Sequence, residues 1–373
     1  MSEQMNLYSS YLKSLSVFAP ELPEEILNPQ RIRPQLISPF VLQLPTSVLQ
    51  SVQSFTTELF AVFNNPDYLR QLPPGRDWQS WPSTPCVLNC LDFHYRPETG
   101  LKLIEINTNA SLYLASHFLY PLQGLSSPDA DLLLLQESFQ QAFALKAGDE
   151  VLLVDRDPQK EGLYFEFLLY KRWLESLGYK ARILPLNQLL LGQIERVYNR
   201  STDFFLETAE SAALKGAYLQ GLARVSPNPY GYFVMADKQR LSLIRELIAL
   251  EQRSLIPESR LFRSYADKEE IWQQRKKLFF KPSQSYGSKA VFSGKGISRR
   301  AFDNIYSGDF LAQEYCPAGQ QEFQFEGANH TMKFDLRFYV FQGRVQSYLA
   351  RLYQGQATNM RTPLGGNAPI RWL

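Results

Sequence analysis

Residues 91–111, LDFHYRPETGLKLIEINTNAS, constrain the fold most strongly, because they have the pattern of a β-hairpin with polar residues at core-facing positions. Leucine and isoleucine residues occupy much of the stretch on both predicted strands. Asp92, Glu105 and Asn107 nevertheless fall on positions that look inward. A pleat of this kind needs a reason beyond packing to keep three polar side chains, so its polar face is a candidate functional site.

The register of the hairpin decides whether the three polar residues meet. A four-residue turn at Pro97–Gly100 is the expected connection. This turn predicts three cross-strand pairs: Arg96 with Leu101, Asp92 with Glu105, and Cys90 with Asn107. Side chains alternate between the two faces of a strand, so Asp92, Glu105 and Asn107 should share one face within roughly 5–7 Å.

Two carboxylates directly opposite each other repel unless a cation lies between them. Asp92, Glu105 and Asn107 offer only oxygen ligands, and three ligands leave room for water and phosphate oxygens. Such a set suits Mg²⁺ better than zinc. The sequence therefore predicts a magnesium site at this hairpin. The alternative is a solvated sheet face with an N-terminal cap for the next segment.

A zinc site is a weaker interpretation of the same region. Cys86, Cys90 and His94 recur every four residues, which on a helix would align them as metal ligands. On a strand they alternate with apolar residues instead, and only three ligands are present. A structural zinc ion, which is normally held by four ligands, is therefore disfavoured.

Composition bounds the class of protein. The chain has 373 residues, a hydrophobic content of 45% and a net charge of +2. A charge so close to neutral argues against a nucleic-acid partner or a membrane surface. Three scattered cysteines do not form a disulfide framework, and the first residues lack the pattern of a signal peptide. We expect a cytoplasmic protein; the oligomeric state is open, with a homodimer as one option.

The order of the predicted elements indicates several lobes. Residues 1–80 are predicted to be mainly helical, and residues 81–130 carry the hairpin. A strand–helix–strand unit at 149–186 indicates a parallel α/β sheet within a substrate domain at 131–235. Residues 236–373 have an α+β pattern that includes a hairpin turning at Gln342–Gly343. The expected fold class is thus a mixture of α/β and α+β lobes.

A second stretch has the chemistry of a phosphate site. In FFKPSQSYGSK, Lys281 ends an apolar strand and a loop with Ser283, Ser285 and Gly287 follows it. Backbone N–H groups in such a loop can bind phosphate oxygens, and a neighbouring lysine neutralises their charge. Taken alone the pattern is common in strand–loop connections, and it is not a Walker A motif.

The succession of features after residue 230 closely resembles that of the ATP-grasp ligases. Its parts are Asp237–Lys238 at a helix start, Lys281–Pro282, FLAQEYCPAGQQEF, DLRFYVFQGRV, Arg351 and TNMRTPLGG. The resemblance implies these roles: nucleotide contacts from Lys238 and Lys281, adenine binding by the backbone of Gln313, Glu314 and Tyr315, and ribose binding by Glu322. It also implies that Arg337 and Arg351 are catalytic and face the transferred phosphate and the substrate.

ATP-grasp enzymes usually carry their Glu-x-Asn metal ligands after these features, whereas here Glu105 and Asn107 precede them. This order is similar to that of the circularly permuted branch, which includes eukaryotic-type glutathione synthetases and glutathionylspermidine synthases. LKLIEINTNAS resembles the metal-binding strand of the first group, and DFHY is similar to the second. SQSYGS has one glycine where glutathione synthetases have three, and no resemblance covers residues 1–80.

The resemblance implies an ATP- and Mg²⁺-dependent ligase that joins a small-molecule carboxylate to an amine through an acyl phosphate. Residues 260–320 would form a lid that excludes water from the reaction. Two alternatives remain open. One is a catalytically silent nucleotide-binding or scaffold protein on the same fold, and the other is a phosphotransferase that stops at the phosphorylated product.

Overall fold

The computed structural model of the protein describes residues 3–23, 26–128, 131–265, 267–283, 291–356, 358–359 and 361–373. Its strands are β1 (Leu42–Leu44), β2 (Asn89–Arg96), β3 (Gly100–Asn107), β4 (Glu150–Asp155), β5 (Lys180–Pro185), β6 (Arg196–Asn199), β7 (Arg224–Ser226), β8 (Ser259–Leu261), β9 (Leu278–Pro282), β10 (Phe292–Ser293), β11 (Phe310–Glu314), β12 (Gly319–Phe325), β13 (Ala328–Phe341), β14 (Arg344–Tyr353), β15 (Gly366–Ala368) and β16 (Ile370–Trp372).

The α-helices are α1 (Glu3–Phe18), α2 (Thr46–Phe63), α3 (Pro66–Gln71), α4 (Tyr113–His117), α5 (Leu119–Leu122), α6 (Asp131–Phe143), α7 (Tyr164–Ser176), α8 (Ala212–Leu219), α9 (Pro229–Gly231), α10 (Leu241–Leu247), α11 (Lys268–Gln274) and α12 (Arg299–Tyr306). Short 3₁₀ turns and one π-helical segment, Tyr232–Ala236, connect several of them. No helix in the described ranges combines the length and apolar character that a membrane span needs.

The largest sheet joins the N-terminal hairpin to the C-terminal strands. Its strand order is β15-β14-β13-β2-β3, and β12 also pairs with β13. The hairpin is held by antiparallel pairing of β2 with β13, which sets Asp92 opposite Arg337. The turn between β13 and β14 lies at Gln342 and Gly343, both with positive φ, which confirms its predicted position. Residues far apart in the chain therefore share one sheet face.

The observed hairpin differs from the predicted register near its turn. Arg96 pairs with Gly100, not with Leu101, so the loop has three residues rather than four. A bulge at Ile104 adds one residue to β3, and beyond it Asp92 pairs with Glu105 as predicted. The bulge lets Leu103 enter the core while Glu105 faces the other way.

The middle of the chain folds as predicted into a parallel sheet. Its strand order is β5-β4-β6-β7, and every pair is parallel. Helix α7 connects β4 to β5 and ends just before Gly178, whose φ of +84° suits glycine. Buried apolar residues on both faces of β4 explain why its sequence, EVLLVD, reads as a continuous apolar run.

Residues 259–314 contain a smaller antiparallel sheet of order β10-β9-β11-β8. Helices α11 and α12 cover one face of this sheet with a separate core that includes Ile271, Phe280 and Phe302. The other face points towards the large sheet. The predicted lid, 260–320, coincides closely with this unit, and its closing function stays a prediction.

Residues 1–80 are mainly helical, but they also contain a strand that the sequence analysis did not predict. Besides α1, α2 and α3 they contain β1, which pairs in parallel with β16 at the opposite end of the chain. Helix α2 buries Val52, Phe55 and Leu59, which confirms its predicted apolar face. The proposed domain boundaries near residues 80, 130 and 235 stay predictions.

Candidate nucleotide-binding site

A cavity of about 480 Å³ lies between the small sheet and the large one. On the small sheet, β9 and β11 pair so that Phe279 is opposite Gln313 and Lys281 is opposite Leu311. The intervening residues Phe280 and Ala312 belong to the core of the small sheet. Because side chains alternate, Phe279, Lys281 and Gln313 are directed to the cavity, which all three line.

The opposite wall is a polar row that crosses the large sheet. Cross-strand pairing aligns Arg351 with Asp335, Arg337 with Asp92, and Asp92 with Glu105. All five side chains line the cavity. The row crosses four strands and shifts by two residues along β13, from Arg337 to Asp335, so each strand contributes only one or two of its members. This explains why it is invisible in any single stretch of sequence.

Asp92 is the most heavily bonded member of the row. Arg337 donates from Nε and Nη2 to its two carboxylate oxygens at 2.9 Å each, and Arg351 Nη2 donates at 3.0 Å. Asp92 is only 3% exposed. Although burial acts to raise it, the two guanidinium groups hold the pKa of Asp92 well below its usual range. Asp92 therefore carries its charge throughout the physiological range.

Two lysines approach the row from other elements. Lys238, which follows the π-helical segment, lies with Nζ 3.4 Å from Glu105 Oε1. Lys281 Nζ donates to the bulge carbonyl of Ile104 at 3.1 Å. Burial, together with the nearby Lys238 ammonium, lowers the pKa of Lys281 to about 8, although Glu105 acts to raise it. Both predicted lysines thus reach the β2–β3 hairpin.

The structure brings most of the predicted site residues to this cavity. Those that line it are Asp92, Glu105, Asn107, Lys238, Lys281, Gln313, Glu314, Tyr315, Arg337 and Arg351. Glu322 does not; it lies exposed on β12, while Gln320, two residues earlier on the same face, lines the cavity. Ser283 is buried and its hydroxyl bonds to the Asp309 carboxylate, away from the lining. Ser285 and Gly287 lie outside the described residues.

Two further lining residues had no predicted role in the cavity: Asp335 was not singled out, and His94 was considered only as a zinc ligand. His94 and Asp335 each lie two positions from a predicted residue on the same strand face, which is the signal that could have found them. His94 Nδ1 lies 2.7 Å from the Cys316 carbonyl, which can only accept, so Nδ1 carries the proton. Burial lowers the pKa of His94. Asp335 accepts from Arg351 Nε at 2.6 Å and from the Thr358 hydroxyl.

The cavity has an aromatic end as well as a charged one. The rings of Phe279 and Tyr315 lie with centroids 6.5 Å apart and planes inclined at 29°. The amide nitrogen of Gln313 is buried there without a hydrogen-bond partner among the described residues. Flat apolar surfaces beside unpaired polar groups suit a heterocyclic base, whereas the lysine and arginine end suits phosphate.

The donors at the hairpin fit a magnesium ion only in part. Glu105 and Asn107 both line the cavity with oxygen-bearing side chains, which suits Mg²⁺. Within the described ranges there is no cluster of three or more His, Cys, Asp or Glu side chains that could hold a metal. Asp92 is already engaged by two arginines. The third predicted ligand is therefore committed to other contacts.

Comparisons with known proteins place the fold. No family model matches the chain, and no curated protein matches it. A solved glutathione synthetase-like effector from Globodera pallida, in its apo form, aligns over 90% of both chains with a TM-score of 0.56 at 12% identity. The chain therefore has the fold of a glutathione synthetase-like protein.

A second solved structure aligns more loosely. It is a protein of Methylobacillus flagellatus KT provisionally named a gamma-glutamylcysteine synthetase. The alignment covers 85% of this chain and 87% of that protein's chain. The TM-score is 0.49 and the identity is 12%.

Proposed function

We propose that the protein is an ATP-dependent ligase with a circularly permuted ATP-grasp fold, which joins a small carboxylic acid to an amine. One observation carries the proposal. Lys238, Lys281, Glu105 and the Arg337–Arg351 pair line a single cavity, although they come from separate elements of the chain. The pairing of β2 with β13 supports the permutation, because it inserts the early Glu-x-Asn strand pair into the C-terminal sheet.

The chain's own residues suit the stages of such a reaction. Lys238 and Lys281 would neutralise the phosphates of ATP, and Phe279 and Tyr315 would enclose the base. Arg337 and Arg351 would stabilise charge on the transferred phosphoryl group and on the carbonyl oxygen. A magnesium ion held by Glu105 and Asn107 would supply further charge neutralisation at the phosphates.

The proposed chemistry balances without a protein nucleophile. The substrate carboxylate attacks the terminal phosphorus of ATP, which gives an acyl phosphate and ADP. The amine then attacks the acyl carbon, loses a proton and expels inorganic phosphate. The small sheet, as a lid, would protect the acyl phosphate from water.

A turnover screen tests this proposal and its two alternatives. The protein is incubated with ATP, Mg²⁺ and pools of carboxylic acids and amines, and ADP and inorganic phosphate are measured separately. Phosphate release that requires both an acid and an amine supports the ligase. ADP formation with a stable phosphorylated product identifies a phosphotransferase. ATP binding without ADP formation from any pool identifies a silent nucleotide-binding protein.

A further inference from the structure

The carboxylate of Asp92 lies between the proposed metal ligands and the two arginines of the cavity. We infer that Asp92 is a positioning residue that anchors the Arg337–Arg351 pair, and that the proposed magnesium ion binds without it. The inference rests on the proposed function, because it divides that site into an arginine half and a metal half. It assigns the metal to Glu105 and Asn107 alone, together with phosphate and water oxygens.

The contacts of Asp92 use its whole acceptor capacity. Oδ1 accepts from Arg337 Nε at 2.9 Å and from Cys90 Sγ at 3.1 Å. Oδ2 accepts from Arg337 Nη2 at 2.9 Å, Arg351 Nη2 at 3.0 Å and Asn107 Nδ2 at 3.4 Å. A carboxylate offers about four lone-pair sites, so no direction is left for a metal ion.

Charge balance opposes any exchange of these partners for a metal ion. Arg337 and Arg351 are both largely buried, with side chains 12% and 17% exposed. Among the described residues, Asp92 is the only carboxylate that forms an ion pair with both guanidinium groups, because Asp335 pairs with Arg351 alone. Moving Asp92 onto a dication would leave Arg337 without its counterion and place like charges side by side.

Glu105 has the opposite character. Its side chain is 29% exposed, and its ion pair with Lys238 is long, at 3.4 Å. The Lys238 ammonium group is the cation beside this carboxylate in the free protein. A metal ion with its phosphate ligands can replace the ammonium group there. Lys238 would then turn to the phosphates. The two carboxylates of the hairpin are therefore chemically distinct, although the sequence places them as an equivalent pair.

The test compares two isosteric variants of cavity carboxylates, Asp92→Asn and Glu105→Gln. The control is Asp303→Asn, which changes an exposed carboxylate on α12 outside the cavity. ADP affinity is measured by calorimetry with and without Mg²⁺, and the ratio of the two affinities is the readout. Glu105→Gln should bring the ratio close to one. Asp92→Asn should keep the wild-type ratio, as should Asp303→Asn, but Asp92→Asn alone should weaken binding of inorganic phosphate to the ADP complex about tenfold. If Asp92 had a purely structural role, Asp92→Asn would lower the affinities for inorganic phosphate and for ADP by the same factor.

Because Asp92→Asn removes a buried charge and the variant can fail to fold, the wild-type protein provides a second measurement. The arginine Nε–H signals are followed by NMR, with Arg337→Lys used to assign the Arg337 signal. Protection of that signal should persist on addition of ADP and Mg²⁺. Loss of protection on adding Mg²⁺, or a collapsed affinity ratio in Asp92→Asn, overturns this inference. Absence of any ADP binding to the wild type overturns the proposed function instead.

Discussion

Lys281 donates from its ammonium group to the carbonyl oxygen of Ile104, 3.1 Å away, although 177 residues separate the two in the chain. Ile104 is the extra residue of the bulge in β3. The bulge therefore does two things: it turns Glu105 towards the cavity and presents a carbonyl to the lysine of the small sheet. This contact joins the two walls of the site.

Replacing Lys281 should weaken nucleotide binding without unfolding the protein. In Lys281→Met the buried ammonium is lost and an apolar side chain of similar length remains. The affinity for ATP, measured by calorimetry, should fall roughly 10- to 100-fold, since a charged hydrogen bond to phosphate is removed. Lys276→Met, an exposed lysine nearby, is the control. Equal ATP affinities in both variants would remove Lys281 from the site.

The affinity for ATP should fall as the pH rises through about 8. Burial lowers the pKa of Lys281 to about 8, so above this pH the free protein holds a neutral amine. Binding of phosphate then requires uptake of a proton, and affinity should decrease by up to about tenfold per pH unit. Lys281→Arg keeps its charge and should lose this dependence. An unchanged pH profile in Lys281→Arg would assign the titration to another group.

The stability of the free protein should respond to the same titration with the opposite sign. The unfolded state keeps the ordinary lysine pKa of 10.5, whereas the folded state has about 8. Between these values the unfolded chain binds more protons, so the Lys281 contribution to the free energy of unfolding rises with pH. In denaturant titrations, the free energy of unfolding of the wild type minus that of Lys281→Met should increase from pH 8 to pH 10.

The bulge can be tested through Leu103. This side chain is fully buried in the core beneath the large sheet. In an unbulged strand it would share the cavity face with Glu105. Leu103→Ala should therefore lower the free energy of unfolding by about 2–5 kcal/mol, measured by urea titration, while the ATP affinity of the folded protein changes little. Unchanged stability together with a clear loss of ATP affinity would instead place Leu103 in the cavity and contradict the bulge.

The β2–β3 hairpin shows which structural features could be predicted from the sequence and which could not. Alternation predicted the polar face correctly, and Asp92 does lie opposite Glu105. The predicted turn was one residue too long, and the bulge compensates for it. Leu103 and Ile106 both lie in the core, so the alternation of faces breaks between them, and the sequence analysis did not predict this bulge.

The bonding of Asp92 could not be predicted in the same way. Its arginine partners lie 245 and 259 residues away, and they reach it through the pairing of β2 with β13 and of β13 with β14. Local pattern shows that a side chain faces inward but not which distant groups meet it. The sequence therefore predicted the residues that line the cavity more completely than the contacts among them.

Outside the cavity, Glu166 on α7 is a carboxylate buried to 2% exposure. Its Oε1 has no hydrogen-bond partner among the described residues, and Arg200 Nη2 lies 3.9 Å from Oε2. Arg200 in turn donates from Nη1 to Asn109 Oδ1 at 2.6 Å, and Asn109 lines the cavity. Burial raises the pKa of Glu166 to about 7, although Arg200 acts to lower it.

This raised pKa predicts a pH-dependent stability that Glu166→Gln should remove. The ordinary glutamate value of 4.5 applies to the unfolded chain, so between pH 4.5 and about 7 the folded protein binds more protons. The contribution of Glu166 to the free energy of unfolding should therefore fall as the pH rises through this window. Relative to wild type, Glu166→Gln should gain on the order of 2–3 kcal/mol from pH 4.5 to pH 7 and then stay constant. Urea titrations across this range measure the difference, with exposed Glu58→Gln as the control. A flat difference for Glu166→Gln would show that Glu166 keeps its ordinary pKa, with the effect of burial offset by Arg200 and its other partners.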